Sequence, residues 1–126
     1  MIAMTIRRVV ALFSLVLLAG TACSQEPDIP LSAEAEVGRT LARESGCSAC
    51  HGNNGEGITA PTWQGLYLSN VAFTGRPNAT ADEAYLFESI TDPQAKIRLN
   101  WTLMMPENNL TDDEVQSVIA YIKELQ

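Results

Sequence analysis

The chain has 126 residues, 46% of them hydrophobic, with 15 acidic against 8 basic residues and a formal net charge of −7 at neutral pH. That length supports one small domain, and the acidic balance argues against nucleic acid or anionic lipid as a partner. One histidine and three cysteines confine metal and thiol chemistry to a few positions.

Residues 1–22 read as an export signal. Arg7 and Arg8 form the positive start, residues 9–18 an apolar run, and Ala19-Gly20-Thr21-Ala22 a small-residue cleavage stretch. The apolar run is shorter than the ~20 residues of a spanning helix. Cys23 follows directly, and the junction resembles the lipobox of bacterial lipoproteins, although Gly20 stands where many boxes have Leu. There the cysteine becomes the acylated first residue of the mature chain. The alternative is ordinary cleavage, with Cys23 left as a free thiol. Residues 23–31 then form a lipid-anchor cysteine and a polar tether with two prolines, reaching roughly 25–28 Å at full extension. Removal of Arg7 and Arg8 leaves 6 basic residues against all 15 acidic ones, a net charge of −9 on the mature chain.

Residues 32–126 form the domain. A first helix is expected from after Ser32 to about Ser45, with Val37 and Leu41 apolar and Gly46 as terminator. Gly38 costs ~1 kcal/mol in a helix interior relative to Ala, which close approach of another helix would explain. Residues 52–79 read as loop, punctuated by glycines and prolines and supplying Trp63, Leu66, Tyr67, Leu68, Val71 and Phe73 as contacts for a bound group. Thr80-Ala81-Asp82-Glu83 reads as a capping box opening a second helix, which Pro93 limits. Thr111-Asp112-Asp113-Glu114 opens the last helix in the same way. There Val115, Val118, Ile119 and Ile122 recur at the spacing of one helix face. No segment reads clearly as a strand, so the expected class is all-α.

Between the first two helices lies Cys47-Ser48-Ala49-Cys50-His51. Cys-x-x-Cys-His is the attachment signature of c-type haem. Two thiols three residues apart can each add across one vinyl group of a single porphyrin, and the following histidine is placed to ligate the iron. A thioredoxin-like dithiol would need a βαβ context, and a zinc site would need further Cys or His; neither is present in the sequence. For the second axial position the candidates are the sulfurs of Met104 and Met105, or no ligand. A Met/His pair raises the potential and closes the iron to small ligands, whereas an open site would permit ligand binding.

From about Ser32 onward the chain resembles the class I cytochromes c, most of all the C-terminal cytochrome domain of bacterial cytochrome c oxidase subunit II. The matching pieces are Cys-Ser-Ala-Cys-His-Gly at 47–52, Pro-Thr-Trp-x-Gly-Leu-Tyr at 61–67 and Ala-Asp-Glu-x-Tyr-Leu-x-Glu-Ser-Ile-x-Asp-Pro-x-Ala-Lys-Ile at 81–97. Met-Pro at 105–106 and Ile-Ala-Tyr-Ile-Lys at 119–123 complete the set. The resemblance implies a small helical domain wrapped around one covalent haem c. It implies that Cys47 and Cys50 hold the haem, that His51 is the proximal ligand and that Pro61 accepts the histidine ring N–H. It further implies Met105 as distal ligand, Trp101 near the propionates, and Gly38 crossing the last helix at Tyr121. Ala60 and Asn100 depart from the family pattern, standing where it commonly has glycine. The upstream copper-binding domain of an oxidase subunit II is not in the sequence.

The expected function is that of a membrane-tethered one-electron carrier with no catalytic residues, monomeric, at the extracytoplasmic or periplasmic face of a bacterial membrane. Its partners would be redox proteins, either a terminal oxidase or an upstream reductase. The alternatives are a fixed cytochrome subunit of a larger oxidase or dehydrogenase, and a haem-based ligand-binding or sensor protein.

Overall fold

The computed structural model describes residues 30–126. The signal segment 1–22, Cys23 and most of the 23–31 tether lie outside the described residues. Four helices and one hairpin follow in chain order: α1 (Ala33–Glu44), α2 (Ser48–His51), β1 (Asn70–Phe73), β2 (Arg76–Thr80), α3 (Glu83–Thr91) and α4 (Asp112–Glu124). Among the described residues no helix is long and apolar enough to cross a membrane.

The last helix forms as its sequence dictates. The Glu114 amide donates to Thr111 Oγ1 at 3.4 Å, and the Thr111 amide donates back to Glu114 Oε2 at 2.7 Å. The Thr111 amide, and after it the Thr111 hydroxyl donating to the same carboxylate oxygen at 2.9 Å, hold the Glu114 carboxyl below its usual range. The stripe of Val115, Val118, Ile119 and Ile122 is buried, and Leu110 packs against the same core.

α1 lies across α4 at Gly38. A Cβ on Gly38 would sit 1.9 Å from the Ser117 carbonyl oxygen and 3.0 Å from Tyr121 Cβ. The helices therefore touch backbone to backbone, and the glycine is required by space. Polar bonds close the crossing at both sides. Ser117 Oγ donates to Glu34 Oε1 at 2.5 Å, and the Ser32 hydroxyl and amide donate to Glu124 at 2.6 and 2.9 Å.

The 52–79 segment departs from the loop expectation. Asn70 pairs with Thr80, Val71 with Ala79 and Phe73 with Arg76 in an antiparallel hairpin, turning at Thr74-Gly75 with Gly75 at φ +70°. Val71 and Phe73 alternate into the core, the period of a half-buried strand. Pro77 is tolerated because every strand of a two-stranded sheet is an edge. The domain is thus helical with one small hairpin. Leu68, read as a contact residue, instead lies 63% exposed with a left-handed backbone (φ +62°).

The hairpin also moves the start of α3. The Leu68 amide donates to the Ala81 carbonyl, and the Ala81 amide to that of Ser69, so extended pairing continues past Thr80. Asp82 is the N-cap, its carboxylate accepting from the Tyr85 amide at 2.8 Å. Glu83, freed from capping, pairs with Lys123 of α4 at 2.5 Å, and Lys123 lies 5.2 Å from the Tyr67 ring centroid.

Gly38→Ala is expected to lower the stability of the haem-loaded protein by about 1–3 kcal/mol, the usual cost of overpacking. Helix propensity alone predicts a gain of ~1 kcal/mol, so the sign decides between crowding and propensity. A urea midpoint equal to or above wild type would show that α1 and α4 separate without cost.

Candidate haem site

The site begins where α1 ends. Gly46 takes φ +79°, and the Cys47 amide folds back to the Ala42 carbonyl at 2.9 Å. Cys47 then N-caps the single turn of α2, and Gly52 at φ +86° stops it. One helical turn puts Cys47 and Cys50 on a common side, and both are half-buried free thiols. Burial pushes the Cys47 thiol up and a backbone hydrogen bond opposes it, while neighbouring Cys50 adds a smaller upward effect.

His51 is oriented by one short bond. Its Nδ1 lies 2.8 Å from the Pro61 carbonyl oxygen. A carbonyl only accepts, so Nδ1 carries the proton and Nε2 keeps its lone pair. Burial pushes the His51 pKa below its ordinary value; the Pro61 bond opposes this, and the positive charge of Arg98 reinforces it. The ring is therefore neutral at physiological pH, as a metal-ligating imidazole must be.

The glycine-rich loop after α2 is tightly built. The amides of Ile58, Thr59 and Ala60 converge on the Cys50 carbonyl at 3.0–3.1 Å, and that of Gly57 donates to the His51 carbonyl at 2.7 Å. Glu56 lies against Gly52 and accepts from the Asn54 amide at 2.8 Å. Backbone hydrogen bonds of this kind hold its carboxyl below the usual range. The loop delivers both Pro61 and Trp63. Trp63 stacks on His51 with centroids 4.5 Å apart and planes 22° apart, and meets Tyr121 edge-on at 6.2 Å. Gly55 makes room for this: a Cβ there would lie 2.9 Å from Trp63 Cβ and 2.7 Å from Leu125 Cδ1.

Cys47, Cys50, His51, Pro61, Trp63, Trp101 and Met105 all line one cavity, which encloses about 1070 Å³ with its open mouth included. The structure thus brings these seven residues to one wall, while Tyr67, Leu68, Val71 and Phe73, expected as contacts for the bound group, do not line it; Cys23 lies outside the described residues. Met104 also reaches the wall, but is 62% exposed, whereas Met105 is half-buried. Asn100 has φ +66°, a conformation Asn tolerates better than most residues. Ala60 has no such requirement, since it is absent from the positive-φ residues of the described chain.

Leu66, expected as a contact for the bound group, lines the same wall, as do Tyr85, Lys96 and Arg98, which the sequence alone does not single out. Tyr85 was legible only as an α3 position; its inward direction depends on the Asp82 cap. Lys96 pairs with Glu88. Arg98 is held at the backbone by bridging to Phe73 across the unexpected hairpin.

The donor set suits a covalently held haem. Two thiols, a neutral imidazole with a free Nε2, a thioether and apolar aromatic walls occur in one cavity. Among the described residues no group of three or more His, Cys, Asp or Glu could hold a bare metal ion. Trp63, Leu66 and Tyr85 belong both to the cavity wall and to the hydrophobic core, so a haem held there would extend the same apolar packing. A Cys47→Ser/Cys50→Ser variant, unable to attach haem, is expected to melt well below the haem-loaded protein with a broadened circular-dichroism transition. A cooperative transition near the haem-loaded midpoint would contradict this.

Comparison with curated proteins finds no match. The family model described as Cytochrome c matches residues 35–126, from the first turn of α1 to the end of the chain. With the cavity and its thiol–imidazole set already in place, that match shows that the chain belongs to the cytochrome c family and is a c-type cytochrome.

Proposed function

We propose that Cys47 and Cys50 hold one haem c through thioether bonds, with His51 and Met105 as axial ligands, and that the chain is a one-electron carrier. The observation that carries this reading is the 2.8 Å bond from His51 Nδ1 to the Pro61 carbonyl, beside two free thiols in one cavity. It leaves Nε2 as the only ring nitrogen with a lone pair to offer.

When bound, the haem supplies a reversible Fe(III)/Fe(II) couple. The residues around it hold that couple steady. Pro61 fixes the imidazole tautomer, Trp63 fixes the ring plane, and both act through a loop anchored on the Cys50 carbonyl. Apolar walls exclude water and favour the less charged state of the iron. No residue has to move a proton or form a bond to substrate for an electron to pass.

The cavity mouth is bordered by exposed Leu103 and Met104, with Ile97 and Leu99 also exposed nearby. Such a rim suits weak, brief docking. The acidic mature chain favours a partner with a basic or apolar patch. The resemblance to the oxidase subunit II cytochrome domain supports a terminal oxidase as acceptor and a respiratory reductase as donor. Acylation at Cys23 would hold the carrier at the extracytoplasmic face of a bacterial membrane and confine its search to that surface.

A spectroelectrochemical titration of the matured protein is expected to follow a one-electron curve, reversible in both directions. Oxidation of the reduced protein by membranes bearing a terminal oxidase should slow as salt rises, as docking between opposite charges requires. Cys23→Ser should shift the protein from the membrane to the soluble fraction. An irreversible titration, or no electron transfer to any respiratory membrane, would overturn the carrier reading.

A further inference from the structure

The segment carrying the two methionines has little backbone support. Among the described residues, none from 102 to 110 takes part in a backbone–backbone hydrogen bond: the last before it runs from the Trp101 amide to Arg98, the next from Val115 to Thr111. Two side-chain amides fasten it instead to the last turn of α3 and to the turn that follows it. Gln94 Nε2 donates to the Met105 carbonyl at 2.8 Å, and Asn108 Nδ2 donates to the Ile90 carbonyl at 2.7 Å. Asn108 Oδ1 also accepts from the Leu110 amide at 3.1 Å, tying the fastening to the approach of α4.

We infer that Gln94 and Asn108 are positioning residues that hold the 104–108 segment so that Met105, and not its neighbour Met104, serves as the sulfur ligand. This rests on the Met105 reading above. The two fastenings lie three residues apart, at Met105 itself and at Asn108, with Pro106 between them restricting the backbone. Gln94 acts on the backbone of Met105 directly, so rotation of that residue out of the cavity breaks the bond. Met104 has no such tie and is exposed, as a residue on the free side of the fastening should be. The Ile90 carbonyl belongs to the last turn of α3, where helix carbonyls lack helical partners. Asn108 satisfies it, so helix end and ligand segment share one bond. Gln94 is exposed and Asn108 half-buried, which makes Asn108 the firmer of the two.

The test uses the haem-loaded full chain and measures carbon monoxide association with the reduced protein, together with the long-wavelength sulfur-to-iron band of the oxidised protein. Opening of the ligand segment limits association when the sulfur is bound. Gln94→Ala should raise the association rate about fivefold, the effect of losing one ordinary hydrogen bond, and Asn108→Asp should raise it at least as much. The aspartate keeps the acceptor for Leu110 and removes the donor to Ile90, so it remains informative if Asn108→Ala fails to mature. Gln126→Ala is the control: it deletes a comparable side-chain amide bond, to the Lys123 carbonyl at 3.0 Å at the end of α4, and should leave rate and band unchanged. Wild-type rates in both Gln94→Ala and Asn108→Asp, or an equal rise in Gln126→Ala, would overturn the inference. Survival of the band in Met105→Ala would instead overturn the ligand reading on which it rests.

Discussion

A backbone carbonyl accepts a hydrogen bond and never donates one, and at Pro61 that asymmetry determines the state of His51. The bond to Pro61 puts the proton on Nδ1 and leaves Nε2 with its lone pair. Burial reinforces the result by disfavouring the imidazolium. Much of the loop between residues 52 and 65 can be read as support for this one contact. Three amides grip the Cys50 carbonyl, Gly57 grips that of His51, and the chain turns through positive-φ glycines to bring Pro61 and then Trp63 beside the ring.

The same contact is tied mechanically to the helical frame. Trp63 stacks on His51 and meets Tyr121 at its edge, and Tyr121 borders the place where Gly38 meets α4. The Tyr121 hydroxyl also donates to the Asn53 carbonyl in the loop at 3.2 Å. A crossing of the first and last helices thus reaches the imidazole through two rings. Spreading the helices would loosen the tryptophan, and with it the ring that keeps the histidine in plane. Packing and ligation are therefore one problem in this fold, which accounts for a glycine at a helix position where alanine is intrinsically favoured.

How much of this was legible in the sequence follows from the range of each signal. The Cys47–His51 motif, the last helix and its capping box are local patterns, and the helix and its cap form as read. The histidine's partner lies ten residues away, so Pro61 was reachable only through family resemblance. The hairpin had a local signal in alternating Val71 and Phe73 before Thr74-Gly75, but Pro77 and the surrounding glycines obscured it. Once the hairpin forms, pairing through Ala81 makes Asp82 the cap in place of Thr80, an outcome no helix pattern alone could show. The stacking of Trp63 on His51 and the presence of Tyr85 in the cavity wall depend on such long-range placement. Between adjacent Met104 and Met105, composition offers no distinction. The difference in exposure, and the bond from Gln94 to the Met105 carbonyl, supply one.

The central claim is that one polypeptide segment presents His51 and another Met105 to the same iron. The most direct measurement is the visible spectrum, oxidised and reduced, of protein matured in a host that attaches c-type haem, with Met105→Ala and Met104→Ala beside it. With His51 and Met105 as ligands, the reduced spectrum is expected to be sharp and low-spin, and the oxidised long-wavelength sulfur-to-iron band to disappear in Met105→Ala and persist in Met104→Ala. A high-spin, five-coordinate spectrum in the unaltered protein would contradict it, and would make small-ligand binding the leading function.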